Sequence, residues 1–186
     1  IVSANFKSND YNIFFILLSD GNIITATYSA QASKYVVQEQ ITPNITLTGA
    51  QKIIGDAIYV LKSGKIYASR DTLKTWVIDS INIGKLYVSD VSVDTNHYAW
   101  VSTDQGIYYQ HPDSSIWRKA APIPVTFQNV YSIFVDRRNR IFASRPGQVF
   151  VSTDKGLSWT NISTGASETI ASFGDDVFGN VYAVSN

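Results

Sequence analysis

Several residue types are missing or scarce in this sequence, and each absence narrows the classes of protein to which it can belong. There is no cysteine and no methionine among the 186 residues, so disulfides, thiolate metal sites and cysteine nucleophiles are excluded. The two histidines, His97 and His111, are too few for a three-histidine zinc site. We therefore expect no metal and no cofactor. The longest apolar run, Ile13–Leu18, is far shorter than the ~20 residues that a membrane helix needs.

Charge is also scarce, and it carries no net sign. Charged residues make up 16% of the chain, with 15 basic and 15 acidic side chains. Nucleic acids and anionic membranes select a basic surface, so neither is expected as a partner. Few charges and eleven tyrosines favour a β-rich extracytoplasmic protein, whether periplasmic, cell-surface or secreted. The chain opens on Ile1 without an initiator methionine, and we expect a processed protein or a portion of a longer one.

Two sets of residues recur along the chain with the same period. Trp76, Trp117 and Trp159 are separated by 41 and 42 residues, and counting back 41 from the first reaches Tyr35. Four glycines recur at spacings of 43, 42 and 41 residues: Gly21, Gly64, Gly106 and Gly147. A period of about 42 residues is typical of propeller blades and of helical repeats.

The content of each repeat decides between these two architectures. Apolar residues alternate or run in short blocks between Gly, Asp, Asn and Ser, and no sustained helical stripe occurs. The clearest repeat predicts four strands, at Val130–Val135, Arg140–Ser144, Gln148–Ser152 and Ser158–Ile162. Four antiparallel strands per repeat of this length are a β-propeller blade. The predicted fold class is therefore all-β, a β-propeller of four-stranded antiparallel blades.

The repeats predict about four and a half blades within one propeller domain spanning residues 1–186. Their approximate limits are 1–42, 43–83, 84–124, 125–166 and, for the half-blade, 167–186. An open arc would leave strand edges and blade faces uncovered. We therefore expect a partial propeller, whose open ends are covered by further blades or by another chain.

One segment matches a known propeller motif. Ser152–Trp159 reads S-x-D-x-G-x-S-W and resembles the Asp-box, or BNR repeat, of sialidase-like propellers and of the photosystem II assembly factor type; Ser69–Trp76 is a second copy, with Leu73 in place of glycine. The resemblance implies a structural turn, in which the aspartate and serine accept turn amides and the tryptophan packs between blades. The structural residues expected are Ser69, Asp71, Trp76, Ser152, Asp154, Gly156 and Trp159.

A second similarity is to the short propeller repeats of bacterial sensor ectodomains, with the pattern D-x-x-G-N-I-W. The segments Asp20–Ile23 and Gly179–Tyr182 resemble it. This similarity supports a propeller and implies no particular chemistry.

The catalytic signature of the sialidase family is not found. The early F/Y-R-I-P string is absent, and the nearest string, Arg140–Phe142, lacks the proline. No pair of acids is assignable to the two catalytic roles of glycoside hydrolysis. We therefore predict a non-catalytic binding or scaffold module for a protein or glycan ligand. The alternative is a fragment of a sialidase-like or other Asp-box glycoside hydrolase.

Two further features are candidate contacts. Arg137, Arg138 and Arg140 crowd one turn, which is either a solvated hairpin or a contact for an anion or acidic partner. Trp100 lies on a second strand, unlike the other three tryptophans. Packing between blades is the ordinary interpretation of Trp100, and a ligand-facing aromatic is the alternative.

Overall fold

The computed structural model describes residues 1–7, 10–55, 58–71, 73–79, 85–126, 128–163 and 169–185. Within these ranges the chain forms eighteen β-strands and no helix. The described residues accordingly contain no helical segment that is long and apolar enough to cross a membrane. The contacts within the chain divide it into two compact units, Ile1–Ile81 and Asn82–Asn186.

The first unit contains two four-stranded antiparallel sheets, each connected in chain order. The strands of the first sheet are β1 (Ser3–Lys7), β2 (Asp10–Leu17), β3 (Ile23–Ser29) and β4 (Lys34–Ile41). Those of the second sheet are β5 (Lys52–Ile54), β6 (Ile58–Lys62), β7 (Lys65–Ser69) and β8 (Val77–Ile78).

The second unit contains two further four-stranded sheets and a two-stranded one, all antiparallel. The third sheet consists of β9 (Val88–Val93), β10 (Ala99–Thr103), β11 (Gly106–Gln110) and β12 (Trp117–Lys119). The fourth consists of β13 (Ser132–Val135), β14 (Ile141–Arg145), β15 (Gln148–Ser152) and β16 (Thr160–Asn161). The last two strands are β17 (Ile170–Asp175) and β18 (Val181–Ser185).

Each unit buries its own apolar core between successive sheets. In the first unit Leu17, Ile23 and Ile53 are fully buried together with Trp76. In the second unit Ile133, Ile141 and Phe150 are buried beside Trp100 and Trp159. Second strands are the most buried, since β6 and β10 have neighbours on both edges and both faces. Blocks of apolar residues in these strands, rather than strict alternation, follow from that position.

Polar contacts join the third and fourth sheets through their first strands. The Asp90 carboxylate on β9 accepts hydrogen bonds from the Ser132 hydroxyl at 2.8 Å and the Ile133 amide at 3.1 Å. Two residues further along β9, the buried Ser92 hydroxyl accepts the amide of Val135 at 2.9 Å. Side chains of β9 thus accept hydrogen bonds from backbone amides of β13 that have no partner within their own sheet.

The predicted fold class is confirmed, because four four-stranded antiparallel sheets and a two-strand half-sheet follow one another in the described residues. In the fourth sheet the third strand has its predicted limits, the other limits shift by at most two residues, and the predicted first strand Val130–Val135 begins at Ser132. One strand pair is longer than the pairs in the same place in the other sheets. In the first sheet β3 and β4 extend to seven and eight residues, because no box-like turn interrupts them. The organisation into one domain with the stated blade limits stays a prediction.

Candidate functional site

The turn after β15 is held by a closed set of side-chain hydrogen bonds. Asp154 Oδ1 accepts the Leu157 amide at 3.1 Å and the Ser158 amide at 2.9 Å, and Oδ2 accepts the Ser158 hydroxyl at 2.5 Å. The buried Ser152 hydroxyl donates to Asp154 at 2.8 Å and accepts the Gly156 amide at 2.8 Å. These bonds satisfy turn amides that the ladder leaves unpaired.

The same bonds set the ionisation of the aspartate. Hydrogen bonds from the Ser158 hydroxyl and amide, then from Ser152, lower the pKa of Asp154 to about 2. Donors to a carboxylate favour its charged form, which is the direction seen here. Asp154 is therefore a permanently ionised turn anchor at neutral pH, which is the wrong state for a general acid.

The turn after β7 repeats this arrangement in the first unit. Asp71 accepts the Thr75 amide at 2.8 Å and hydroxyl at 2.6 Å, and the Ser69 hydroxyl donates to it at 3.0 Å. Bonds from Thr75 and Ser69 lower the pKa of Asp71. Leu73 takes the place of the glycine, with φ of 70° against 75° for Gly156. The non-glycine residue therefore carries the left-handed backbone strain of this turn.

The glycine of the turn after β15 is required by space as well as by backbone conformation. A Cβ at Gly156 would lie 3.1 Å from the Trp100 ring and 3.1 Å from the Ala120 side chain. Any larger residue would push the turn away from the third sheet. The turn therefore packs directly on the aromatic side chains of the preceding blade.

The four aromatic residues that set the period all lie at the fourth strand of a sheet, but one differs in packing. Trp76, Trp117 and Trp159 are 5%, 6% and 9% exposed, whereas Tyr35 on β4 is 40% exposed. The Trp159 indole donates to the Ala121 carbonyl of the preceding linker at 3.0 Å. The first sheet has no box to bring its aromatic inward, so Tyr35 instead lies against Phe14 and Tyr28.

The arginine turn between β13 and β14 is joined to the β17–β18 hairpin. Arg138 and Arg140 donate to the carbonyls of Phe178 and Gly179, both at 2.8 Å. Arg140 also pairs with the buried Asp136 at 2.6 Å. The amide of Arg137 donates to Asp175 at 3.1 Å, and its guanidinium lies 3.6 Å from the same carboxylate. These groups make contacts between blades, and an anion or partner contact at this turn stays a prediction.

An aspartate turn recurs in the second unit, where it joins the first and second strands of each sheet. Asp94, Asp136 and Asp176 each accept the amides two and four residues later. The residue between those amides has positive φ, at His97, Asn139 and Gly179. The turns also contact one another, since the Thr95 amide and hydroxyl donate to Asn139 at 3.0 and 2.8 Å. These carboxylates therefore serve turns and blade contacts.

A pocket of about 550 Å³ lies beside the turn after β15. Its aromatic side is contributed by the third sheet: Tyr98, Trp100, Tyr109 and His111. Lys155 and Leu157 of the turn after β15 line the opposite side. Trp100 is only 2% exposed, so the rings of Tyr98 and Tyr109 present more of the open surface. The role of Trp100 toward a ligand stays a prediction.

Sequence reasoning missed Tyr98, Tyr109 and His111 as members of this pocket. A signal was present, because the pairs Tyr98–Trp100 and Tyr109–His111 are each spaced by two residues along neighbouring strands. Side chains at i and i+2 share one face of a sheet. The register then places Trp100 opposite Tyr109, so one face of the third sheet carries all four rings.

Among the described residues, no group of three or more His, Asp or Glu side chains is arranged to hold a metal ion. His97 lies in an aspartate turn with φ of 66°. His111 Nδ1 accepts the Asp113 amide at 3.1 Å.

Comparisons with known proteins show similarity at the level of structure. No protein-family model and no curated protein matches the chain. Among solved structures it is similar to YCF48 bound to D1 peptide, with a TM-score of 0.62 and 13% identity over 99% of this chain and 60% of that chain. It is similar to the extracellular domain of BT4673 from B. thetaiotaomicron, with a TM-score of 0.68 and 16% identity over 99% of this chain and 25% of that one.

Streptogramin B lyase is a third similar structure, with a TM-score of 0.66 and 12% identity over 97% of this chain and 61% of the other. The chain therefore spans 60% of the YCF48 chain and a quarter of the BT4673 domain. Together with the successive four-stranded sheets, these likenesses place the chain in the β-propeller class. At identities this low they define the fold and leave the activity open.

Proposed function

We propose that this chain is a non-catalytic β-propeller binding module of the Asp-box type, exported from the cytoplasm, with a protein or glycan ligand. We also propose that residues 1–186 belong to a single propeller domain whose open ends are covered by further blades or another chain. No cofactor or metal is part of this function.

One observation carries the proposal: the carboxylates of the turns are bound within their own turns, whereas the aromatic rings of the pocket are open to a ligand. The aspartates of the box-like turns and the aspartate turns are engaged by turn donors, and Asp154 has its pKa held at about 2. A hydrolase needs a proton-donating acid and a second group facing it across the substrate. The pocket beside Lys155 instead offers aromatic rings with a few polar and charged groups at its edges, a lining that suits recognition.

The structural neighbours support this function by analogy only. YCF48 is described as bound to D1 peptide, and the BT4673 neighbour is an extracellular domain. A propeller that binds a peptide and a propeller on the outer side of a membrane are both consistent with an exported binding module. By analogy, these neighbours support a protein as the ligand.

The first experiment measures binding on two arrays. The labelled chain is applied to an immobilised peptide library and to a glycan array, alongside Tyr109→Ala and the control Tyr131→Ala. Tyr131 is 45% exposed and lies outside the pocket. We expect retained spots on at least one array that Tyr109→Ala loses and Tyr131→Ala keeps. Absence of binding on both arrays would contradict the proposal.

The second candidate function is a fragment of an Asp-box glycoside hydrolase, and the S-x-D-x-G-x-S-W segment favours it. Incubation with fluorogenic sialosides and hexosides separates the two functions. The binding module releases no fluorophore above the rate of a heat-denatured sample. Steady release that survives chromatography of the protein would favour the hydrolase.

A further inference from the structure

Two adjoining pockets in the second unit form one elongated depression, here called the aromatic trough. The pocket of about 550 Å³ and a second of about 330 Å³ share Tyr98, Tyr109 and His111. Lys155 lies at the end beside the fourth sheet, and Arg118 at the end on β12. Because its lining extends from the turn after β15 across the third sheet to β12, the trough suits a ligand made of several linked units.

The rings of the trough are fixed in place before any ligand binds. Trp100 stacks on Tyr109 with centroids 5.0 Å apart and planes inclined by 27°. The His111 ring meets Tyr98 edge-on at 4.9 Å. Asp94 holds the Trp100 indole by a 3.2 Å bond. The open rings of Tyr98 and Tyr109 therefore form a rigid surface whose ordering costs little on binding.

The polar groups along the trough carry both signs of charge. Lys155 and Arg118 supply cations, and Asp94, whose carboxylate already accepts the Asn96 and Tyr98 amides and the Trp100 indole, supplies the negative charge. The described residues give Lys155 and Arg118 no ion pair. His111 Nδ1 accepts an amide, which leaves Nε2 as the donor of the neutral ring. Donors and acceptors of mixed sign suit hydroxyl groups, which both donate and accept, better than a ligand of one charge.

The two central strands beneath the trough are closed to strand addition by a peptide. The β10 strand pairs with β9 and β11, and β11 pairs with β10 and β12. Neither strand has a free edge, so an extended peptide cannot add to the sheet there. A ligand above β10 and β11 is therefore held by ring faces and side-chain polar groups.

We propose that the aromatic trough binds a neutral oligosaccharide, with pyranose rings against Tyr98 and Tyr109 and hydroxyl groups bonded to Lys155, His111 and Arg118. The apolar C–H face of a pyranose matches an aromatic ring, and its edge carries the hydroxyl groups. This inference rests on the proposed binding function, and it selects a glycan over a protein ligand.

The test titrates the whole chain with cellohexaose, maltohexaose, mannohexaose and xylohexaose by calorimetry. At least one probe binds, and its Kd is the same within about twofold between 0.05 and 0.5 M NaCl, because salt does not screen contacts to a neutral ligand. Tyr109→Ala weakens binding by about tenfold or more, and Tyr131→Ala leaves it unchanged. No binding by any of the four probes overturns the inference.

A second variant keeps the test independent of folding. Lys155 has φ of 59° and an exposed side chain, so Lys155→Gly removes the ammonium at a position whose backbone glycine prefers. It weakens binding by about threefold to tenfold, the loss of one charged hydrogen bond that is open to solvent. Unchanged affinity in both Lys155→Gly and Tyr109→Ala would show that the saccharide binds elsewhere.

The outcomes separate this inference from the proposed function. A chain that binds peptides on the array but none of the hexaoses is a binding module without this site. Polygalacturonate serves as an anionic probe beside the four hexaoses. If it alone binds, and salt weakens that binding, the ligand is a glycan but the inference of a neutral one is wrong. Absence of every ligand would remove both proposals.

Discussion

Replacing Arg140 by methionine is expected to loosen the contact between the fourth sheet and the β17–β18 hairpin. The Arg140 guanidinium donates to the buried Asp136 carboxylate at 2.6 Å and to the Gly179 carbonyl at 2.8 Å. It also lies 5.3 Å from the ring centroid of Phe142. Methionine keeps most of the stem and removes all three interactions. The Asp136 carboxylate then stays buried with only backbone donors.

The magnitude follows from these three interactions. A charge-assisted bond contributes ~1.5–3 kcal/mol, and a bond to a carbonyl ~0.5–1.5 kcal/mol. The cation–π contact adds ~0.5–1 kcal/mol. The Arg140 side chain is 31% exposed, so water screens part of the sum, and we expect a loss of about 2–4 kcal/mol.

The matched control is Arg137→Met in the same turn. Its guanidinium is 44% exposed and lies 3.6 Å from Asp175, so a loss below about 1 kcal/mol is expected. Urea unfolding followed by tryptophan fluorescence gives both free energies. Equal losses in the two variants would show that the Arg140 contacts to Asp136 and Gly179 add no stability. The double variant Arg140→Met with Asp136→Asn should lose less free energy of unfolding than the two single variants together. In the double variant no buried charge is left unpaired.

Three further perturbations test the turns. Folding lowers the pKa of Asp154 to about 2, so its stabilisation is present above pH ~4 and is lost as the pH falls through about 2. The stability difference between wild type and Asp154→Asn should therefore shrink from pH 5 to pH 2 in urea titrations, and a constant difference would contradict the assignment. Leu73→Gly should be more stable than Leu73→Ala by about 1 kcal/mol, because both lose the buried side chain and only alanine strains at φ of 70°; thermal unfolding compares them, and the reverse order would exclude a left-handed Leu73. Gly179→Ala should lower the melting temperature by several degrees, chiefly because the φ of residue 179 is 82°, while the exposed Arg138 guanidinium that its Cβ would meet can move away. Adding Arg138→Ala should therefore recover little of that loss, and a large recovery would show that the clash dominates.

The fold class and the positions of the turns could be predicted from the sequence alone. Both depend on interactions that close within a few residues. Asp154 bonds to groups within four positions of itself, so the S-x-D-x-G-x-S-W string carries nearly all the information its turn needs. The regular spacing of three tryptophans likewise reflects one local unit repeated along the chain.

Which of these residues face one another follows only from the way the strands pair and pack. From the sequence, Arg138 and Arg140 belong either to a solvated turn or to a contact for an anion or acidic partner, yet their acceptors, Phe178 and Gly179, lie about forty residues away. Tyr35 keeps the period but stays exposed, because no box turns its strand inward. The aromatic trough arises only when β10 and β11 pair in register and the turn of the next blade packs on Trp100. Such contacts depend on strand pairing and blade packing across the chain, which no local spacing specifies.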